Sequence, residues 1–168
     1  MSALSARREV STLWTLAWPA VLGNLGWMAM GIADVVMIGD LGEIPLAAMT
    51  AGHIWSFGVL VFTMGVMSGL DPFFAQSHGA GNEREQGHAL ARALVLALLM
   101  SVPATLLHFV AGPALELLGQ PPEIIDDADG YCRAMAWGCT PLLIFTAMRQ
   151  FLQGGGWMRP PMIAVWIA

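Results

Sequence analysis

The chain has 168 residues, of which 57% are hydrophobic and 11% charged, with a net charge of −5 and a mean hydropathy of +0.65. Soluble domains hold roughly 45–50% apolar and about 25% charged residues, so this composition excludes an ordinary soluble domain and reads as an integral membrane protein seated in a lipid bilayer. Seven arginines, no lysine and no basic stripe exclude nucleic acid as a partner.

The first apolar run covers 13–38. It is too long for the apolar core of a signal peptide, about 7–15 residues, and reads as an uncleaved first membrane helix. Pro19, Gly23, Gly26 and Gly31 lie within it, and Asp34 is its only ionisable group. "GDLGEIP" then breaks the run with Gly39, Gly42 and Pro45. A second run covers 46–70, interrupted only by His53, and leads through "DPFFAQ" into the polar connection "SHGAGNEREQGH". A third covers 93–112 with Pro103 near its middle. The acidic, turn-rich "PALELLGQPPEIIDDADG" follows. A fourth run, 131–148, carries Arg133 at its start and Pro141 inside, and "RQFLQGGGWMRPP" reads as the next loop. "MIAVWIA" reads as the opening turns of a fifth helix, beginning near 160. A membrane helix needs about 20 residues, so the sequence reads as a fragment. The expected fold class is all-α, a polytopic membrane helix bundle of four complete transmembrane helices plus the start of a fifth.

The arginines predict the orientation. With a cytoplasmic N-terminus, Arg7, Arg8, Arg84, Arg92, Arg149 and Arg159 fall inside and Arg133 outside, a positive-inside bias. Tyr131 at the outer end, and Trp14 and Trp157 at the inner ends, suit aromatic belts.

Asp34 admits two readings. Counted from Leu13 it lies ~32 Å along a helix, at the outer headgroups, where a carboxylate is tolerated. Counted back from Asp40 it lies ~9 Å inside the interface. Acids at that depth face a bundle interior or a wet cavity and mark ion pathways. Gly23, Trp27 and Met30 share its helical face. A carboxylate, an indole and a thioether together suit a cavity for bulky cations, although Trp27 and Met30 equally suit plain packing against a neighbouring helix.

Other chemistry has little support. His53, His78, His88 and His108 show no metal-ligand spacing, "GAGNER" lacks the third glycine of a dinucleotide loop, and no serine sits in a nucleophile elbow. The sequence predicts no enzyme, no catalytic residue, no metal and no cofactor. Cys132 and Cys139, seven residues apart on one helix, lie ~10 Å apart along its axis and do not bridge.

Taken together, "LAWPAVLGNLGWMAMGIADVVMIGDLGEIPLAA", "MGVMSGLDPFFAQSHGAGN" and "LGQPPEI" with "YCRAMAWGCTPLLIFTAMRQFLQGGGWMRPPMI" resemble, in order and spacing, the multidrug and toxic compound extrusion (MATE) family. The resemblance implies a partial N-terminal lobe of a twelve-helix, two-lobed exporter in the cell's inner (plasma) membrane. Such a protein exchanges cationic or amphipathic small molecules for protons or sodium ions, and the remaining helices of the full-length transporter are partners of this segment. Pro19 then matches the kinking proline of the first helix, and Asp34 the acid of the N-lobe coupling site. Asp71 departs from many bacterial members; an inner ion path is one role for it and a helix-end position the plainer one. Gln76, Gly79, Gly81, Arg149 and Gln153 match inner-loop positions. Two alternatives stand beside this reading. One is a lipid-linked oligosaccharide flippase of the same superfamily, which usually lines its cavity with several basic residues. The other is a small four-helix structural or accessory membrane protein.

Overall fold

The computed structural model describes residues 3–157 and 159–167. Every regular element among them is helical: α1 (Ala3–Gly39), α2 (Glu43–Ser68), α3 (Asp71–Gly79), α4 (Glu83–Phe109), α5 (Ala111–Leu117), α6 (Pro122–Gly154) and α7 (Arg159–Ile167). Helices satisfy their own backbone groups, which is the requirement that hydrocarbon imposes on a chain. Ala17–Gly39, Glu43–Gly79 and Glu83–Phe109 are long and apolar enough to cross a membrane. The stretch 131–148 lies inside α6, a continuous helix of 33 residues that is less apolar than those three. The chain is a multi-pass membrane protein. The surroundings of the Arg7, Arg8 and Arg159 side chains lie outside the described residues.

The elements depart from the apolar runs at several points. The helix of the first run starts at Ala3, ten residues before Leu13. "DPFFAQSHG", expected as connection, is helix α3, opened by Asp71 and Pro72 in its first turn. The stretch expected as an acidic, turn-rich loop is α5 and then the first turns of α6, with Pro122 at the helix start. The third run ends at Phe109, and Gly112 belongs to α5. "RQFLQG", expected as loop, completes α6, and the chain turns only at Gly155–Gly156, where Gly156 takes φ 78. At the start of α1, in α3 and at both ends of α6 polar sequence is helical, whereas α4 stops short of its apolar run. Backbone hydrogen bonding sets helix length, and apolarity sets only which part lies in lipid.

α6 is the hub. It packs most extensively on α4 and α2, and also on α3 and α5, while α1 lies at the edge against α7 and α2. The packed faces are built from small side chains. On α4 the buried positions are Ala89, Ala93, Ala97, Ser101, Ala104 and His108; on α6 they include Ala128, Cys132, Ala136, Cys139, Leu143 and Ala147. Their steps of four and three residues trace one helix face, and small side chains let the backbones approach closely. Large apolar chains such as Leu98, Leu99 and Val102 on α4, and Phe57 and Phe62 on α2, point outward. In lipid both faces are apolar, so size rather than polarity separates the packed face from the free one.

Several buried polar groups have partners near at hand, while Gln150 Oε1 and Arg149 Nε have none among the described residues. His108 Nδ1 donates to the Ala104 carbonyl at 2.8 Å, and Thr63 Oγ1 donates to the Val59 carbonyl at 2.7 Å. The Leu107 carbonyl, at the end of α4 where the helix no longer supplies a donor, accepts from Trp55 Nε1 at 3.0 Å. Cys132 and Cys139 are free and buried.

Candidate functional site

Asp34 sits on the C-terminal half of α1, exposed, with Trp27 and Met30 exposed on the same face at 42% and 48%. The neighbour that matters across the fold is Tyr131 of α6, whose phenol lies within reach of the Asp34 charge. Tyr131 holds that place because Gly52 of α2 offers no side chain. A Cβ there would stand 2.8 Å from Tyr131 Cδ1. One turn of backbone ties the same level of α2 to α6, with Cys132 Sγ 3.5 Å from the Gly52 carbonyl and 3.9 Å from Ser56 Oγ. Sequence reasoning placed Tyr131 only at the membrane rim. Its place against Gly52 is set by packing between α2 and α6 and leaves no local signal.

At the opposite end of α6 a second group of expected residues converges. Pro19, Gly23 and Trp27 of α1, Arg149 and Gln153 of α6, and the first turns of α7 line a cleft of about 60 Å³, with Asn24 as a further polar wall. Pro19 is buried there, and α1 continues through it as one helix. The Arg149 Nε atom is enclosed with no hydrogen-bond partner among the described residues. An unsatisfied buried donor costs about 1–3 kcal/mol, more for a charged group. Asp71, exposed at the head of α3, acts on Arg149 through its charge without ion-pair contact; the ion pair within 4.0 Å among the described residues is Arg133–Asp129. The cleft contains neither Asp34 nor Met30, and Trp27 and Asp34 are separated by seven residues, ~10 Å along α1.

The inner-loop residues take structural places. α3 docks on the end of α6, where a Cβ on Gly154 would lie 2.7 Å from Phe74 Cβ and one on Gly155 would lie 3.2 Å from His78 Cε1. Phe74 meets Phe151 edge to face with centroids 5.7 Å apart. The Gln76 carbonyl accepts from the Ala80 amide at 3.0 Å and closes α3, while the Gln76 side chain is exposed. Gly79 is the last helical residue and has open space around it; Gly81 takes φ 64, the left-handed turn into α4. Asn82 then caps α4, its Oδ1 accepting from the Glu85 amide at 3.2 Å. That cap was legible as Asn followed three residues later by Glu.

Another cavity lies elsewhere. A groove of about 890 Å³ runs along α2 from its N-terminal end, between Ile54, Phe62, Leu107 and Leu118, with Glu43 and Gln120 at its polar end. Sequence reasoning missed it because four separate helices contribute its walls. Its lining has the chemistry of a surface that acyl chains or further helices cover.

The chain is similar to bacterial multidrug resistance proteins. It is 36% identical over 147 residues to the probable multidrug resistance protein NorM of Bradyrhizobium diazoefficiens, covering 88% of this chain and 32% of that protein. It is 30% identical over 158 residues to the multidrug resistance proteins NorM of Aliivibrio fischeri and Vibrio cholerae, covering 94% of this chain and 34% of each. The chain thus spans about a third of the length of the curated relatives it matches. The MatE family model matches residues 19–168, from the buried proline of α1 through the cleft and α7, and the chain belongs to the MatE family.

Proposed function

We propose that this chain forms part of the N-terminal lobe of a twelve-helix, two-lobed exporter, with Asp34 as the acid that couples export of cationic or amphipathic small molecules to entry of protons or sodium ions. The observation that carries the reading is the setting of Asp34. It is the one ionisable residue between Leu13 and Gly39, it shares an exposed face with Trp27 and Met30, and its charge reaches Tyr131. Family membership and relatives named for multidrug resistance support the reading.

One carboxylate serves both partners in turn. Ionised, Asp34 attracts a cation whose apolar body lies against Trp27 and Met30. Protonated or sodium-bound, it loses that attraction and releases the substrate. The exchange works across a membrane when the lobes present Asp34 to one side and then the other. The arginine distribution supports a cytoplasmic N-terminus in the inner membrane, which puts Asp34 toward the outer face and the Arg149 cleft toward the cytoplasm.

The test is dye export by the full-length protein in everted vesicles, with ethidium as the probe. Asp34→Asn is expected to cut export by about tenfold or more, equivalent to about 1.4 kcal/mol. Asp34→Glu is expected to retain part of it. Export by Asp34→Asn at the level of the unaltered protein would overturn the coupling role.

A further inference from the structure

The cleft between α1, α6 and α7 has features that a drug-export pathway leaves unused. At about 60 Å³ it is far too small for a drug-sized body, which takes roughly 300–1,000 Å³, and it admits one compact group. Its α6 wall is polar, with Arg149 and Gln153; its α1 wall sets Asn24 among Pro19, Ala20, Gly23 and Trp27, and its α7 wall is apolar, with Met162 and Val165. The Arg149 Nε atom is enclosed without a partner among the described residues. Asp71 influences the guanidinium from α3 but does not line the cleft and makes no ion pair with it. An arginine held in this way is a directional donor looking for oxygen atoms.

We propose that this cleft binds a phosphate group, with Arg149 as its charge partner and Asn24 and Gln153 as hydrogen-bond donors. Guanidinium geometry matches phosphate oxygens in a fork, and the amide side chains supply neutral donors at the rim. The phosphate has two possible sources. Basic pockets between membrane helices on the cytoplasmic side take anionic lipid headgroups, and the apolar α7 wall suits an acyl chain leaving the site. Free phosphate uses the polar walls alone. This site stands apart from Asp34 and does not depend on its coupling role.

The experiment measures thermal unfolding of the full-length protein in detergent micelles. Inorganic phosphate is titrated against chloride at equal ionic strength, and in parallel phosphatidylglycerol is titrated against phosphate-free diacylglycerol. A dose-dependent rise in unfolding temperature with phosphatidylglycerol alone identifies the lipid headgroup; a rise with inorganic phosphate as well identifies the free anion. Either supports the site, provided Arg149→Gln weakens the midpoint by about tenfold or more, the loss of one charge-assisted contact, and Arg84→Gln on α4 does not. Asn24→Leu, on the exposed side of the cleft, decides the matter if Arg149→Gln does not fold, and it too is expected to weaken the midpoint. The absence of any rise with either probe, or a rise that survives unweakened in the Arg149 and Asn24 variants, would overturn the proposal.

Discussion

Gly52 and Tyr131 share one space. A Cβ on Gly52 would stand 2.8 Å from Tyr131 Cδ1 and 3.1 Å from the Ala128 carbonyl oxygen, so α2 and α6 meet here backbone to ring. Gly52→Ala is expected to destabilise the fold by about 1–3 kcal/mol through overpacking, read as a fall in the unfolding midpoint in detergent. Gly58→Ala, two turns along α2 with nothing within 4 Å, is expected to leave the midpoint unchanged. Because the Tyr131 ring reaches the Asp34 charge, Gly52→Ala is also expected to shift the pH profile of dye export, and Gly58→Ala is not.

The junction of α3 with α6 depends on Gly154. With Phe74 Cβ only 2.7 Å from the place a Cβ would occupy, Gly154→Ala must push α3 away from α6. Hydrogen exchange across Asp71–Gly79 is expected to speed up in that variant. Gly79→Ala, in open space on the same helix, is expected to be neutral or stabilising by up to about 1 kcal/mol. Equal exchange in both variants would mean that the docking contact is unimportant.

Asp129 ties α5 to α6. Its Oδ1 accepts from the Gly112 amide at 2.9 Å, and its Oδ2 accepts from Arg133 Nε at 2.7 Å. The Arg133 side chain is 57% exposed, so the ion pair itself contributes only about 0.2–1 kcal/mol. Asp129→Asn keeps an acceptor for Gly112 and is expected to be mild. Asp129→Ala leaves that amide unpaired and is expected to cost about 1–3 kcal/mol. The difference between the two unfolding midpoints separates the hydrogen bond from the charge.

Small side chains set the spacing of α4 and α6. Ala97 is fully buried, whereas its neighbour Leu98 is half exposed. Ala97→Leu inserts a branched chain between the two helices and is expected to cost about 1–3 kcal/mol or to prevent assembly, seen as loss of the monodisperse peak in gel filtration. Leu98→Ala changes an outward face and is expected to leave that peak intact. A tolerant Ala97 would remove the small-residue stripe as the determinant of packing.

The all-helical membrane character, and long helices over the first three apolar runs, were legible because a run of about 20 apolar residues has few other places to go. Asp34 was legible for the same reason, as the one carboxylate inside such a run. So were the prolines and glycines as punctuation, although Gly42, Gly81 and Gly156 proved to be turns and Gly52 and Gly154 contact points. Helix ends were less legible. Asp71–Gly79 and the start of α6 are polar, and polarity ends a membrane run without ending a helix.

Which residues meet was decided only in three dimensions. Pro19, Gly23, Trp27, Arg149 and Gln153 were singled out for separate reasons, as kink, cavity lining and inner loop, and the fold draws them into one cleft. Asp34 stays outside that cleft, exposed on α1. The chain's own chemistry determines that it enters a bilayer and where it turns, because apolar transfer and backbone hydrogen bonding act locally. It does not by itself say which apolar face is packed, because lipid and protein interior are alike to a leucine. That choice falls to the close fit of Ala, Gly, Cys and Ser between α2, α4 and α6, and a fit exists only when all three helices are in place.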